Sequence, residues 1–193
     1  MEQKDNNNSS LELRAKEYAI SCHVSTNHAY GPIHPYSFHL QMVVDFAKEY
    51  IDLIPEEHVQ DVLAASWCHD LIEDTRQTYN DVKANTNEAV ADMVYALTNE
   101  KGKTRSQRAN DKYYQGIKDT PFAVFIKLCD RLANFKYSID SKSFMALKYA
   151  KENKDFIHSL IDMKAELYEP LFKRLYQMPI DANLLPSQQL TNL

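Results

Sequence analysis

The segment WCHDLIEDT, residues 67–75, brings one imidazole and three carboxylates close together. On a helix, His69 lies four residues before Glu73 and Asp70 four before Asp74, so these side chains would share one side. The apolar stripe of the preceding residues runs down the same side, which indicates that the acids turn inward. Buried acids need a compensating cation, and a divalent metal ion would supply one. A solvated acidic helix end is the alternative interpretation.

A second segment, FAVFIKLCDRLANF at residues 122–135, is apolar on most sides of the predicted helix. Lys127, Asp130 and Asn134 nevertheless align on one face. An acid in such a helix rarely stays unpaired, so Asp130 needs a basic neighbour or a metal ion. Pairing with Lys127 or Arg131 is the simpler of the two explanations.

His39 follows Pro35 in PYSFHL and shares a helix face with Val43, which indicates that its ring points inward. A single inward histidine is more often a hydrogen-bonded core residue than a ligand. Together with His69, Asp70 and Asp130, however, it would complete a set of two nitrogen and two oxygen donors.

Mixed imidazole and carboxylate donors suit an octahedral ion such as Mn²⁺ or Fe²⁺ and leave two positions for water and substrate. Such an ion makes hydroxide available near neutral pH and polarises a phosphoryl oxygen. Glu73 and Asp74 exceed the four ligand positions, so they are free to orient the water or to carry its proton.

Helices must position these side chains. The chain has only three glycines, and its apolar residues follow helical spacing without strand alternation of useful length. The pattern therefore predicts an all-α fold. The predicted helices cover residues 11–26, 36–52, 56–74, 86–99, 105–118, 121–138 and 142–177, with a break allowed in the last.

The chain of 193 residues, 44% of them apolar, has the size and composition of one folded domain. We expect that domain at residues 11–180. The polar, asparagine-rich residues 1–10 are expected to form a disordered tail, and residues 181–193, which contain Pro186, a second tail.

The net charge of −5 gives no general attraction to a nucleic-acid polymer or an acidic membrane surface. Neither an apolar run long enough for a membrane span nor a secretory signal is apparent. Three widely separated cysteines suit a reducing compartment, so a cytoplasmic location is expected. Aromatic residues of the last predicted helix indicate core packing or a contact in a homo-oligomer.

The order His39, then His69-Asp70, then Asp130 resembles that of the HD-domain metal-dependent phosphohydrolases. HDLIEDT, KLCDRLANF and PYSFH closely resemble motifs in the hydrolase domain of the RelA/SpoT family, over about residues 15–140. The resemblance implies an all-α, single HD-domain helical bundle.

That family removes the 3′ pyrophosphate from guanosine tetraphosphate and pentaphosphate with a manganese ion. The resemblance implies that Glu73 and Asp74 are the catalytic acid pair and that Asn134 contacts the nucleotide. It also implies the metal ligands His39, His69, Asp70 and Asp130.

Further substrate contacts follow from the same resemblance. Residues 105–113 lie where the family has a basic, tyrosine-containing helix near the phosphates, which indicates Arg105, Arg108 and Tyr113. The chain departs from the family before PYSFH, where AYGPIH at residues 29–34 replaces an Arg-Lys-Ser run that holds the guanine end. Tyr30 can stack on a base there, which would be a different contact.

The leading hypothesis is a metal-dependent phosphohydrolase that releases pyrophosphate from a guanosine tetraphosphate-like nucleotide. An HD-type nucleotide monophosphatase would share the ligands but release phosphate. A non-catalytic, metal-dependent nucleotide-binding protein is a third hypothesis, which the intact Glu73-Asp74 pair disfavours. A metal-free helical scaffold is the fourth.

Overall fold

The computed structural model describes residues 10–161 and 165–184, and the regular secondary structure of this part of the chain is helical apart from one short hairpin. The all-α prediction is confirmed. A hairpin pairs β1 (Ala29–Tyr30) with β2 (His34–Pro35) in antiparallel register. The α-helices among the described residues are α1 (Leu11–Ser25), α2 (Ser37–Glu49), α3 (Val59–Cys68), α4 (Leu71–Asp74), α5 (Tyr79–Asn85), α6 (Glu88–Leu97), α7 (Arg105–Arg108), α8 (Asp111–Asp119), α9 (Ala123–Asp140), α10 (Met145–Leu160) and α11 (Glu169–Asp181). Short 3₁₀ turns lie at Ile51–Leu53, Glu56–His58 and Ala165–Tyr168.

Helix α9 runs through the middle of the bundle and packs against α2, α10, α11 and α6. Helix α3 packs against α1, α2 and α6 on the other side of the core. Most side chains of α9 are buried, as its nearly all-round apolar sequence requires. Asp130 lies near the middle of α9 on its buried side, so its carboxylate lies within this core.

The predicted helix at 56–74 is interrupted, and that part of the prediction is wrong. Helix α3 ends at Cys68, His69 and Asp70 form a turn, and α4 begins at Leu71. The His69 Nδ1 atom lies 2.9 Å from the Ser66 carbonyl, which in a continuous helix would accept the Asp70 backbone N–H. The imidazole therefore takes the place of a main-chain donor and ends the helix.

Other boundaries differ for similar local reasons. Asn110 accepts the Tyr113 backbone N–H and starts α8, so the predicted helix at 105–118 is two helices. Helix α5 was not predicted; a capping box formed by Thr78 and Asp81 begins it. The segment at 142–177 is broken after Leu160, as was allowed.

The predicted tails lie mostly outside the described residues, which include only residue 10 of the first and 181–184 of the second. Within the described ranges, no helix has the length and apolar character needed to cross a membrane.

The β1–β2 hairpin turns at Gly31, whose φ of +61° is one that L-residues with a side chain rarely adopt. A Cβ atom at this position would collide with the Tyr137 hydroxyl on α9. Gly31 therefore allows the hairpin to lie directly against the central helix.

We predict that Gly31→Ala destabilises the protein by about 1 kcal/mol or more, because it adds both backbone strain and a clash. Urea unfolding measures the change. Gly116→Ala is the matched control: it lies in α8 with open space around its Cβ and should stabilise the protein by about 0.5–1 kcal/mol. Equal effects of the two substitutions would contradict the assigned role of Gly31.

Candidate metal centre

Four predicted ligands converge from three parts of the chain. His39 comes from the first turn of α2, His69 and Asp70 from the break between α3 and α4, and Asp130 from α9. His39 Nε2 lies 3.5 Å from Asp70 Oδ2 and 3.4 Å from Asp130 Oδ1. His69 Nε2 lies 2.9 Å from Asp70 Oδ2 and 3.8 Å from Asp130 Oδ1. One donor atom each from His39, His69 and Asp70 fits within 4.8 Å, a spacing that could hold a metal ion.

The orientation of His69 suits a metal ligand. Its Nδ1 is bound to the Ser66 carbonyl, so Nδ1 carries the proton and the Nε2 lone pair faces the carboxylates. The Nε2 atom is buried and makes no hydrogen bond to any described residue, although Asp70 Oδ2 is 2.9 Å away. A lone pair facing carboxylate oxygens is repulsive unless a proton or a cation lies between them. The donor set therefore fits a divalent ion.

The pKa values of these side chains indicate that the cluster attracts positive charge. Burial lowers the pKa of His39, but contacts with the Asp130 and Asp70 carboxylates outweigh burial and raise it to about 9. Burial raises the pKa of Asp70, yet the charges of His69 and His39 hold it well below its usual range. Without a metal ion, protons on the imidazoles compensate the two carboxylates.

Asp130 is held from both sides. Lys127 donates to its Oδ2 at 3.0 Å, and Asn134 donates to its Oδ1 at 2.5 Å. The predicted pairing of Asp130 with Lys127 thus exists together with the contacts to the two imidazoles. These hydrogen bonds orient Oδ1 toward the histidines.

Asn134 is also bonded to Tyr30, whose hydroxyl donates to Asn134 Oδ1 at 2.9 Å. The Tyr30 ring stacks on His39, with 4.7 Å between the ring centroids. Both predicted substrate contacts therefore lie beside the ligand cluster, where they are bonded to each other. The hairpin that carries Tyr30 covers one side of the site.

The two predicted catalytic acids have different surroundings. Glu73 is exposed, and its carboxylate accepts hydrogen bonds from Asn99 Nδ2 at 2.7 and 2.8 Å. Asp74 contacts the Tyr36 hydroxyl at 3.1 Å and lies 3.9 Å from His28 Nδ1. Partial burial and the neighbouring Asp70 charge raise the pKa of Asp74 to about 6. Of the pair, Asp74 shares the Tyr36 hydroxyl with the predicted ligand Asp70 and is suited to carry a proton near neutral pH.

Tyr36 links Asp74 to the predicted metal ligand Asp70. Its hydroxyl donates to Asp70 Oδ2 at 2.5 Å as well as contacting Asp74. Burial and the adjacent carboxylates raise the pKa of the Tyr36 phenol far above its ordinary value, so the phenol keeps its proton. Two imidazoles, His23 and His28, stack on the Tyr36 ring with centroid distances of 4.3 and 4.0 Å.

A cavity of about 150 Å³ opens beside Asp130 and Asn134. Positive side chains line it, together with aromatic rings and the amide of Asn99. Of the predicted phosphate contacts, Arg108 and Tyr113 border this cavity, but the Tyr113 hydroxyl is buried and donates to the Leu97 carbonyl. The side chain of Arg105 lies outside the described part of the chain. The lining cations are Arg108, Lys127 and Arg131.

Several of these partners cannot be recognised from the sequence. Tyr36 stands inside the PYSFH motif, but no spacing rule distinguishes a tyrosine that binds a carboxylate from one that packs in the core. Asn99 contacts Glu73 from the loop after α6, a relation that only the fold creates. The sequence suggests Arg131 as a partner for Asp130. In the structure, the Arg131 guanidinium lies over the rings of Tyr149 and Phe156.

Two comparisons with known proteins found proteins similar to this chain. The chain is 30% identical over 173 residues to a guanosine-3′,5′-bis(diphosphate) 3′-pyrophosphohydrolase of Aquifex aeolicus (strain VF5). The alignment covers 84% of this chain but 24% of the relative, so the chain spans about a quarter of that protein's length. No protein-family model matches the chain.

A solved structure is similar to this chain in its fold. It is that of a metazoan ortholog of SpoT, described as hydrolysing ppGpp and playing a role in starvation responses. The TM-score is 0.69 at 22% identity, with 92% of this chain and 98% of the other covered. The predicted resemblance to the RelA/SpoT-type hydrolase domain, and the all-α fold that it implies, are confirmed.

We predict that Mn²⁺ stabilises the protein by about 2.7 kcal/mol when present at one hundred times its dissociation constant, because only the folded chain assembles the donor set. Urea unfolding with and without Mn²⁺ measures this gain. Asp70→Asn should abolish it. Asp92→Asn, which alters an exposed acid bonded to Tyr79, should leave it intact. A full Mn²⁺ effect in Asp70→Asn would show that the ion binds elsewhere.

We also predict a loss of stability at acidic pH that depends on His23. Burial lowers the pKa of this histidine from 6.5 to about 4, and its Nε2 has no hydrogen-bond partner among the described residues. The stability that it contributes is present above pH 6.5 and is lost as the pH falls toward 4, by about 3 kcal/mol.

The measurement is urea unfolding between pH 7 and pH 4. His23→Gln should lose less stability over this range than the unmodified protein, since glutamine does not titrate. His158→Gln, at an exposed position, is the control and should follow the unmodified protein. Parallel curves for all three proteins would contradict the assignment.

Proposed function

We propose that this chain is a metal-dependent phosphohydrolase that removes the 3′ pyrophosphate from a guanosine tetraphosphate-like nucleotide. The observation that carries this proposal is the convergence of two imidazoles and two carboxylates beside a cavity lined by cations. The similarity to a protein named as a 3′-pyrophosphohydrolase and to one described as hydrolysing ppGpp supports it.

We assign the metal ligands to His39, His69, Asp70 and Asp130 and propose Mn²⁺ as the ion, with Fe²⁺ as the alternative, because two nitrogen and two oxygen donors suit ions of borderline hardness. When bound, such an ion lowers the pKa of a coordinated water and polarises a phosphoryl oxygen. Lys127 and Asn134 keep Asp130 oriented for this task.

The acids supply the proton transfers. Hydrolysis joins a water oxygen to phosphorus and breaks the bond between that phosphorus and the ribose oxygen. The water loses a proton, and the ribose oxygen gains one. Asp74, with a pKa raised to about 6, can exchange a proton near neutral pH, and Glu73, held by Asn99, lies next to it in the chain.

The cavity beside Asp130 takes only part of the substrate. At about 150 Å³ it is smaller than the roughly 300–1,000 Å³ pockets that enclose whole ligands. Its cations indicate that a phosphate group enters, so we assign Arg108 to phosphate binding and Arg105 to the same role from its place in the sequence. Tyr113 contributes the surface of its ring.

The nucleoside would then lie toward the hairpin. Tyr30 and Asn134 border the ligand cluster on that side and are bonded to each other, so we propose that they contact the nucleotide together. The hairpin residues 29–34 contain neither arginine nor lysine. A base there would be held by aromatic contacts instead of cationic ones.

We propose a cytoplasmic location and a functional domain at residues 11–180. Cys22, Cys68 and Cys129 are all buried and free, which suits a reducing compartment.

We predict that the purified protein with Mn²⁺ releases pyrophosphate from guanosine tetraphosphate and that Asp70→Ala and His69→Ala each reduce this activity below detection. Both substitutions remove a donor from the cluster. Chromatography of the products identifies pyrophosphate or phosphate. Asp92→Asn is the control and should retain full activity.

Three outcomes would contradict the proposal. Release of phosphate from nucleoside monophosphates, without action on the tetraphosphate, would identify a monophosphatase. Tight nucleotide binding without turnover across a broad nucleotide panel would identify a binding protein. Unchanged turnover in Asp70→Ala would refute the assigned site.

A further inference from the structure

Asp74 occupies a position that electrostatics alone would not favour. Its carboxylate and that of Asp70 contact the same hydroxyl, so two negative groups lie close together. The Asp74 side chain is 31% exposed, which gives it room to turn away into water. Something must hold it against this repulsion.

The described contacts of Asp74 identify what holds it. Its side chain meets the Tyr36 hydroxyl at 3.1 Å and His28 Nδ1 at the longer distance of 3.9 Å. The hydroxyl shares its one proton between Asp70 Oδ2 and Asp74 Oδ2, and it is the stronger restraint on Asp74, since only it lies within hydrogen-bond distance.

The Tyr36 ring is itself fixed on several sides. His23 and His28 lie against it, and their Nδ1 atoms are 3.1 Å apart, so they support the ring as a bonded pair. Tyr30 and His39 meet the ring edge to face at centroid distances of 6.0 and 5.4 Å. Tyr36 is 9% exposed. A side chain packed in this way can determine where a neighbouring carboxylate lies.

We propose that Tyr36 is the positioning residue for Asp74: its hydroxyl holds this carboxylate beside the metal ligand Asp70, where proton transfer to or from the substrate takes place. The inference rests on the proposed function. It adds a residue that acts through Asp74 and does not itself touch the substrate.

An alternative role for the same hydroxyl would be to orient Asp70 for the metal ion, because the contact to Asp70 is the shorter one. The two roles differ in a measurable way. Loss of the hydroxyl lowers the turnover number in the first case and the affinity for Mn²⁺ in the second.

The test is Tyr36→Phe, which keeps the ring and its packing. We expect kcat for pyrophosphate release to fall about 10- to 100-fold, the scale expected when a catalytic group is misplaced. KM and the Mn²⁺ dissociation constant from calorimetry should stay within about twofold, because neither the cavity nor the ligand set changes.

Tyr79→Phe is the matched control. It removes another hydroxyl that donates to a carboxylate, that of Asp92 at 2.8 Å, and within the described part of the chain neither residue hydrogen-bonds to a predicted metal ligand or to Asp74. Its kcat, KM and Mn²⁺ affinity should equal those of the unmodified protein. Thermal unfolding of both variants shows whether each is folded.

A double-mutant cycle with Asp74→Asn gives a second measurement. If Tyr36 acts through Asp74, Tyr36→Phe has no further effect on kcat once the carboxylate is gone. An equal loss in both backgrounds would overturn the proposal, as would an unchanged kcat or a tenfold loss of Mn²⁺ affinity in Tyr36→Phe. Failure of the unmodified protein to hydrolyse any nucleotide would instead overturn the proposed function.

Discussion

The carboxylates of Asp70 and Asp130 face the imidazoles of His39 and His69 in a part of the core that water barely reaches, and compensation of that charge is the constraint on which the site depends. Buried ions are tolerated only where other charges and hydrogen bonds replace the lost water. Lys127 and Asn134 do so for Asp130, and Tyr36 does so for Asp70. The remaining imbalance is met by protons on the imidazoles or by a metal ion, which is why His69 Nε2, without a hydrogen-bond partner among the described residues, is informative.

Adjacent acids serve different purposes once the chain has folded. Glu73 faces outward to an amide, whereas Asp74 faces a hydroxyl shared with Asp70. Glu73 and Asp74 are consecutive residues of the short helix α4, yet the Glu73 carboxylate is exposed and the Asp74 carboxyl has a raised pKa. Under the proposed function, this difference would let the pair divide the proton transfers between them.

Much of this arrangement could be predicted from the sequence. The helical spacing indicated the fold, and acids in otherwise apolar segments indicated where charge would be buried. The break at His69 could not be predicted, because it arises from an imidazole that binds a main-chain carbonyl of its own helix. Helix α5 did have a readable signal in Thr78 and Asp81. The partners Tyr36 and Asn99 come from distant elements, and no local pattern specifies such contacts.

The hairpin is joined to the fold differently from the four predicted metal ligands. His39, His69, Asp70 and Asp130 belong to or border helices that share the central core, whereas Tyr30 sits on a pair of two-residue strands beside Gly31. Substitutions at the exposed tip of the hairpin, Pro32 and Ile33, leave the core untouched, whereas substitutions of the four predicted ligands alter both charge and packing. Variants of this chain can therefore alter the tip beside Tyr30 at little cost in folding, and the cluster of imidazoles and carboxylates stays intact when they do so.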